Sequence, residues 1–473
     1  MATPFFPAWR ARLAAFGQQA RVLSSKPLPH LEKLFASLLP PGLLAQSEEG
    51  THSRDRIYSL RTTFWAFLWQ ALNPSAPCRE AVRQIQALHC LAGSDRPVDE
   101  STSAFCQARA RLPLDILQRV RQSAADHAEK LISKPWHGWR PKVVDGTTLS
   151  LNDTPSNQAT YPQSANQSPG CGFPLLKMVG VFCLGSGALL GYAKGNKHQS
   201  ELALLFRLRK MFQSGDLLLA DRGFASYVLM ALLELVGVPC VFRLHGSRPD
   251  DMRKGLRLGK KDRLLIWSKP PQKPRYLPVS LWRRVPAELT VRVLQYQINV
   301  PGFRTKKVTL MTSLSDAQAY PAAELAELYS RRWKIELWWR DLKTSMGMEV
   351  LRCRTPAMIH KELEMYLIGY NLIRGLMAEA AVIHDQPLEQ ISFKGSVDAV
   401  RQFSPLIATT RSSKKQKKLV RQLLQTLARD LVPVRPGRYE PRAVKRRPKP
   451  YPLLNKPRST YHKKMLGKKT PKK

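Results

Sequence analysis

The chain has 473 residues, 76 Lys and Arg against 35 Asp and Glu, a formal net charge of +41, and 43% apolar residues. At roughly 150 residues per domain this is enough for about three domains, so a disulfide-stapled miniprotein is excluded, and the apolar fraction excludes wholesale disorder. The cationic excess must sit on packed domains, which points to a polyanion, nucleic acid ahead of an anionic membrane surface. No apolar run reaches the roughly 20 residues that span a bilayer: Val179–Ala193 is interrupted by glycines and Ser226–Phe242 contains Glu234. The first thirty residues, with Trp9, Arg10, Arg12 and Gln18, lack a signal peptide's apolar stretch. Seven cysteines lie between Cys78 and Cys353 without a C-x-x-C pair, so a reducing cytosol with free thiols is expected.

Residues 1 to about 135 read as helical and basic. Ser59–Leu72, Arg79–Leu91 and Leu114–Ile132 carry apolar residues at helical spacing, broken by Asn73-Pro74-Ser75-Ala76-Pro77 and Gly93-Ser94-Asp95. A short helix over Ser103–Leu112 is expected to project Arg109 and Arg111 together, as a solvated face or as a DNA-contacting one.

After Trp139 the pattern changes to strands. Lys142-Val143-Val144-Asp145 reads as a short strand ending in a carboxylate, and Lys177–Gly185 with Ala188–Lys194 as two strands joined at a glycine turn. A helix over Glu201–Phe212 precedes Leu217–Asp221, a buried strand ending in a second carboxylate; a helix, Ser226–Leu235, and a strand, Cys240–Leu244, follow. This alternation is an α/β layout. Residues 246 to 306, rich in proline and basic residues, read as a β-rich insertion. Val308–Leu314 returns to strand, Pro321 opens a long helix to about Met346, and helices including Ile359–Ile383 continue to about Arg435. The last segment, Pro436–Lys473, holds 14 Lys or Arg, one Glu and seven Pro, and reads as a disordered basic tail.

Asp145 and Asp221, on neighbouring buried strands, suit a hard divalent ion, although Asp145-Gly146 is also a turn signal and Asp221-Arg222-Gly223 also a strand-end loop. Tyr329, Arg332, Glu336 and Lys343 add to them, because at about 100° per residue all four fall within roughly 60° on the helix. A plain solvated stripe with an Arg332–Glu336 pair is the alternative, disfavoured by Trp333, Trp338 and Trp339 on the same helix.

Tyr329-x-x-Arg332-x-x-x-Glu336-x-x-x-x-x-x-Lys343 resembles the Y-R-E-K signature of bacterial DDE transposases of the insertion-sequence-four family. Val144-Asp145-Gly146-Thr147-Thr148 resembles the family's first-aspartate segment, Leu219-Ala220-Asp221-Arg222-Gly223-Phe224 its second, and Tyr370-Asn371-Leu372-Ile373-Arg374 its C-terminal helix; the resemblance covers about 100 to 380.

The resemblance implies a ribonuclease-H-like catalytic core split by a β-rich insertion, with Asp145, Asp221 and Glu336 holding two Mg2+ ions, for which Mn2+ would substitute. Tyr329, Arg332 and Lys343 would hold the phosphates of the transposon end, and Trp333, with Trp267 or Trp282 of the insertion, an unpaired base. Lys197-His198 and Glu201 resemble a patch near the active site of relatives, but a helix start with an exposed His explains them as well.

The expected layout is a helical DNA-binding domain over 1–135, a catalytic domain over 136–350 with its insertion at about 246–306, a basic helical C-terminal region over 351–435, and the tail, 436–473. The expected activity is cut-and-paste DNA transposition, acting on terminal inverted repeats and target DNA as at least a homodimer in the bacterial cytoplasm, on the nucleoid. A nuclease that only hydrolyses DNA, or a domesticated DNA-binding protein, are the rival readings.

Overall fold

A computed structural model of the chain describes residues 57–433, apart from 75, 92–97, 133–134, 245–252, 299–306 and 411, together with 32, 34, 35, 44 and 452–467. Four helices come first: α1 (Leu60–Leu72), α2 (Cys78–Leu91), α3 (Ser103–Arg111) and α4 (Leu114–Leu131). The Ser59 hydroxyl accepts from the Thr62 amide to start α1, whose nearly unbroken apolar sequence is buried on almost every side. In α4, Leu117, Val120, Ala124 and Ala128 recur every three or four residues and form its buried face. Arg109 and Arg111 do not project together. Two positions along a helix are about 200° apart, so Arg109 turns inward, 7% exposed, and Arg111 outward.

The strands are β1 (Arg140–Leu151), β2 (Leu175–Cys183), β3 (Leu189–Gly195), β4 (Asp216–Ala220) and β5 (Cys240–Arg243), followed by β6 (Leu256–Gly259), β7 (Asp262–Ser268), β8 (Glu288–Gln297), β9 (Lys307–Thr312) and β10 (Val350–Leu351). They form one ten-stranded sheet in the order β3-β2-β1-β4-β5-β9-β8-β7-β6, with β10 paired to the far end of β1. β1 runs antiparallel to β2 and parallel to β4, and β4 parallel to β5. The strands read as an insertion, β6 to β8, extend this same sheet through β9.

Alternation along the central strands sends side chains to two cores. Val143, Leu217 and Leu219 pack on one face, with α1 and the long helix α11 (Pro356–Ile383); Val144, Leu218 and Ala220 pack on the other, with α6 (Glu201–Arg207) and α7 (Tyr227–Glu234). The short helix α5 (Pro155–Thr160) lies between β1 and β2, and α8 (Val279–Arg284) between β7 and β8. The residues of α1 and the sheet belong to one continuous core.

The segment read as one long helix is broken. It runs as α9 (Ala322–Ser330), a 3-10 turn over Arg331–Trp333, α10 (Lys334–Arg340), and a π turn over Asp341–Ser345. After α11 come α12 (Phe393–Thr409), α13 (Ser413–Arg429) and α14 (Arg458–Gly467). The last corrects the reading of Pro436–Lys473 as disordered throughout, since Pro457 precedes a helix there; residues 436–451 and 468–473 lie outside the described residues.

Candidate active site

The strand that carries Asp145 does not end there. β1 continues to Leu151, opposite β2, so Asp145-Gly146 is extended backbone and no turn. The parallel register sets Val144 beside Ala220, which brings Asp145 level with Asp221, the first residue beyond β4. By the same alternation both carboxylates leave the sheet on the face of Val143 and Leu219.

Helix α10 lies over that face. Gly180, the partner of Asp145 on β2, has no side chain because the Trp339 ring occupies its place: a Cβ there would stand 2.8 Å from Trp339. Trp338 stacks on Phe182 at 5.5 Å between centroids and Trp339 meets the same ring edge-on at 5.0 Å. These two tryptophans dock the helix; Trp333, 47% exposed, does not. The Tyr329 hydroxyl donates to the Ala220 carbonyl at 3.3 Å, fixing α9 to the end of β4 one residue before Asp221. Tyr329 is buried, and burial raises its phenol.

Arg332 is 7% exposed, approaches Glu336 at 4.0 Å, and leaves its Nε without a hydrogen-bond partner. It also lowers the proton affinity of Asp145 and Glu336, a cation set among acids. Lys343 sits in the π turn, half-buried, 3.6 Å from Glu349. Trp267 and Trp282 are both half-buried against the core of the α6 and α7 face, Trp282 beneath the Lys269 ammonium at 4.2 Å.

The acids are mutually strained. Burial pushes Asp145 up to about 6, against the hydrogen bond from the Gly146 amide and the pull of Arg332, and the charges of Asp221 and Glu201 add to the rise. Glu336 is raised by burial and Asp221 despite Arg332, and Glu201 by burial and Asp221. Glu201 is the residue that sequence reasoning left undecided. It begins α6 on the opposite face of the sheet, and its carboxylate lies where a side chain at position 146 would be, 2.2 Å from a Cβ there. The glycine of Asp145-Gly146 was the signal, weighed in the sequence only as a possible turn. His198 is exposed.

Oxygen donors whose charges raise one another's proton affinity fit a hard divalent cation, which would relieve the repulsion. As they stand, no three acidic, His or Cys side chains among the described residues are spaced to enclose an ion, with Glu336 held toward Arg332.

The strain gives a prediction. A buried carboxyl that binds its proton more tightly folded than unfolded costs stability as pH rises from about 4 through 6, and the cost is complete above that. Asp145→Asn therefore stabilises the protein in EDTA at pH 7.5, by on the order of 2–3 kcal/mol, and not at pH 4. Urea unfolding at both pH values checks it; equal stability of variant and wild type at pH 7.5 contradicts the strain.

The Tyr370–Arg374 segment of α11 holds the β2–β3 hairpin that underlies α10. Tyr370 donates to the Gly187 carbonyl at 2.7 Å, Arg374 donates to the Ser186 carbonyl, and Asn371 exchanges hydrogen bonds with the Leu189 backbone. The buried Asp341, pushed up to about 6 by burial, faces Arg374.

Residues 140–372, which contain all three carboxylates, match the family described as the transposase DDE domain. Over 431 residues the chain is 30% identical to the transposase InsG for insertion sequence element IS4 of Escherichia coli strain K12, a span of 88% of this chain and 93% of that one. The putative transposase InsZ of the same organism is 31% identical over 141 residues, covering 28% of this chain and 46% of its own length. Among solved structures, a piggyBac transposase synaptic complex with hairpin DNA overlaps 88% of this chain and 85% of that chain at 11% identity and a TM-score of 0.41, a likeness on which no argument rests.

Proposed function

The chain belongs to the DDE transposases of the IS4 type and is a DNA transposase, and from that premise we propose that it cuts at the ends of its transposon and joins the freed 3′ ends to target DNA. The observation that supports this reading is the parallel register that levels Asp145 with Asp221, together with Glu336, which feels the charge of Asp221 and stands 4.0 Å from the buried guanidinium of Arg332. These carboxylates would hold divalent ions, two Mg2+ with Mn2+ able to substitute, whose chemistry is to stabilise the attacking and leaving oxygens of an in-line phosphoryl transfer.

The chain's own residues supply the rest. Arg332, paired only at 4.0 Å with Glu336, takes a phosphate oxygen of the cleaved end, and Lys343 a neighbouring one. Tyr329 fixes this stretch against β4 at the edge of the same path. Trp333 offers an exposed ring to an unpaired base. Glu201, over Gly146 on the other face of the sheet, adds its charge to the rise of Asp145, and Trp338 and Trp339 dock the helix that carries Glu336.

We read residues 136–350 as a ribonuclease-H-like core. The order β3-β2-β1-β4-β5, three antiparallel strands followed by two parallel ones, supports it, with 246–306 inserted between β5 and β9. Residues 1–135 supply end recognition and 351–435 brace the core. Two chains pair on DNA, since two ends must be brought together. No helix among the described residues is long and apolar enough to cross a membrane; the expected setting is the nucleoid.

Transfer of a pre-cleaved end into supercoiled plasmid, in Mg2+, tests the reading. Joined products support it; hydrolysis of the end without joining contradicts it.

The basic tail gives a separate prediction. Its 14 cations against one anion add affinity for any duplex without reading sequence. Deleting 436–473 flattens the salt dependence of binding and leaves the preference for end over scrambled DNA unchanged. Titrations at several salt concentrations check this: unchanged slopes remove the tail from DNA binding, and lost discrimination moves specificity into it.

A further inference from the structure

Arg109 is buried on α3 and cannot give up its charge. Its guanidinium lies over the Phe67 ring at 4.1 Å, and its hydrogen-bond acceptors are Gln70 Oε1 at 3.2 Å, Cys78 Sγ at 3.0 Å and Cys353 Sγ at 3.0 Å, two sulfurs and an amide, with the buried Glu362 carboxylate on the same cavity acting on its charge without bonding to it. The two sulfurs are not equivalent. Cys353 is buried and donates its thiol to Glu362, and burial pushes it up. Cys78 is the first residue of α2, where unpaired amides favour an anion, it also accepts from the Gln70 amide at 3.9 Å, and Cys106 of α3 lines the same cavity beside it. Both cysteines line a cavity of about 420 Å³ that shares no residue with the carboxylate site. Cys106 is exposed and Cys78 half-buried, so a small solute reaches them.

We propose that Cys78 is a hydroperoxide-reactive thiolate with Cys106 as its resolving partner, the two forming a reversible disulfide between α2 and α3. In the first step the Cys78 sulfur attacks the hydroperoxide: an S–O bond forms, the O–O bond breaks, and the departing oxygen leaves as water or an alcohol after taking a proton. Cys78 is oxidised to the sulfenic acid and the peroxide is reduced. Cys106 then attacks that sulfur, forming the S–S bond and breaking S–O, and the hydroxide leaves as water with the Cys106 proton. Arg109 favours the starting thiolate, and the disulfide, being neutral, leaves Arg109 without an anion at that position.

The neighbouring Cys106 thiol, then Arg109 and Gln70, outweigh burial and the Glu362 charge and bring Cys78 down to about 6, while the same neighbour relation raises Cys106. At pH 6 roughly half of Cys78 is ionised against well under one per cent of an ordinary thiol, and its lower basicity gives back about an order of magnitude, leaving an advantage of about tenfold.

The test uses the full-length protein. Native wild type is alkylated with iodoacetamide at pH 6, and peptide mass spectrometry follows each cysteine; Cys78 reacts about tenfold faster than Cys90 and Cys171. Stoichiometric hydrogen peroxide then gives a Cys78–Cys106 disulfide that dithiothreitol reverses, and Cys106→Ser instead traps a dimedone-reactive sulfenic acid on Cys78. Cys78 alkylation no faster than that of Cys90, or oxidation of wild type without a Cys78–Cys106 disulfide, overturns the proposal, and both readings are made on the native protein.

Discussion

Asp145→Asn, Asp221→Asn and Glu336→Gln each lower cleavage of a transposon-end duplex in Mg2+ by at least about a thousandfold, roughly 4 kcal/mol of transition-state stabilisation, while gel-shift affinity for the same duplex stays near wild type. The duplex is built from the inverted repeats flanking the gene. Each change removes a charge from the acid cluster and leaves the packing in place. The amides are preferred to alanine because Glu336 is the acid nearest Arg332, at 4.0 Å, and an empty position there would strand a buried cation. A variant that cleaves at the wild-type rate takes that residue out of the site.

The second large effect lies at Arg332. Arg332→Ala weakens the complex with a cleaved end by about thirtyfold, close to 2 kcal/mol, because a largely desolvated guanidinium, paired only at 4.0 Å with Glu336, gains most from a phosphate partner. Lys343→Ala, at a half-exposed ammonium, costs less, about fivefold, and its effect fades as salt is added. Arg332→Lys recovers part of the loss, since the charge returns without the fork. Affinities equal to wild type in both alanine variants would take Arg332 and Lys343 out of the DNA contact.

Much of this site was legible before the fold. Apolar runs at Val143-Val144 and Leu217–Ala220 marked two buried strands, and the parallel pairing of β1 with β4 brings their aspartates level. Tyr329, Arg332, Glu336 and Lys343 share one face only on an unbroken helix; the 3-10 turn at Arg331–Trp333 and the π turn at Asp341–Ser345 change that phase, and what remains is that Glu336 feels the charge of Asp221. What the sequence could not supply was the third dimension around glycine. Asp-Gly signals a turn when nothing else is known; here Gly146 is extended, and the space above it belongs to Glu201, 55 positions later.

Burial was not legible in the sequence for a related reason. Tyr329 and Arg332 look polar in a string of letters, yet one is anchored on the Ala220 carbonyl and the other packed between aromatic rings of its own turn. Arg109 was misread against helical geometry itself, which sets it opposite Arg111 and sends it to the two sulfurs. In the tail, charge and proline count outweighed the short stretch after Pro457 that forms α14.

The central claim is that Asp145, Asp221 and Glu336 make one ion-binding centre. Calorimetric titration of Mn2+ into the full-length protein bound to its end duplex tests it most directly. Wild type binds, and each of Asp145→Asn, Asp221→Asn and Glu336→Gln weakens or abolishes that binding while keeping the duplex; a variant set that takes up Mn2+ with wild-type stoichiometry and affinity would contradict it.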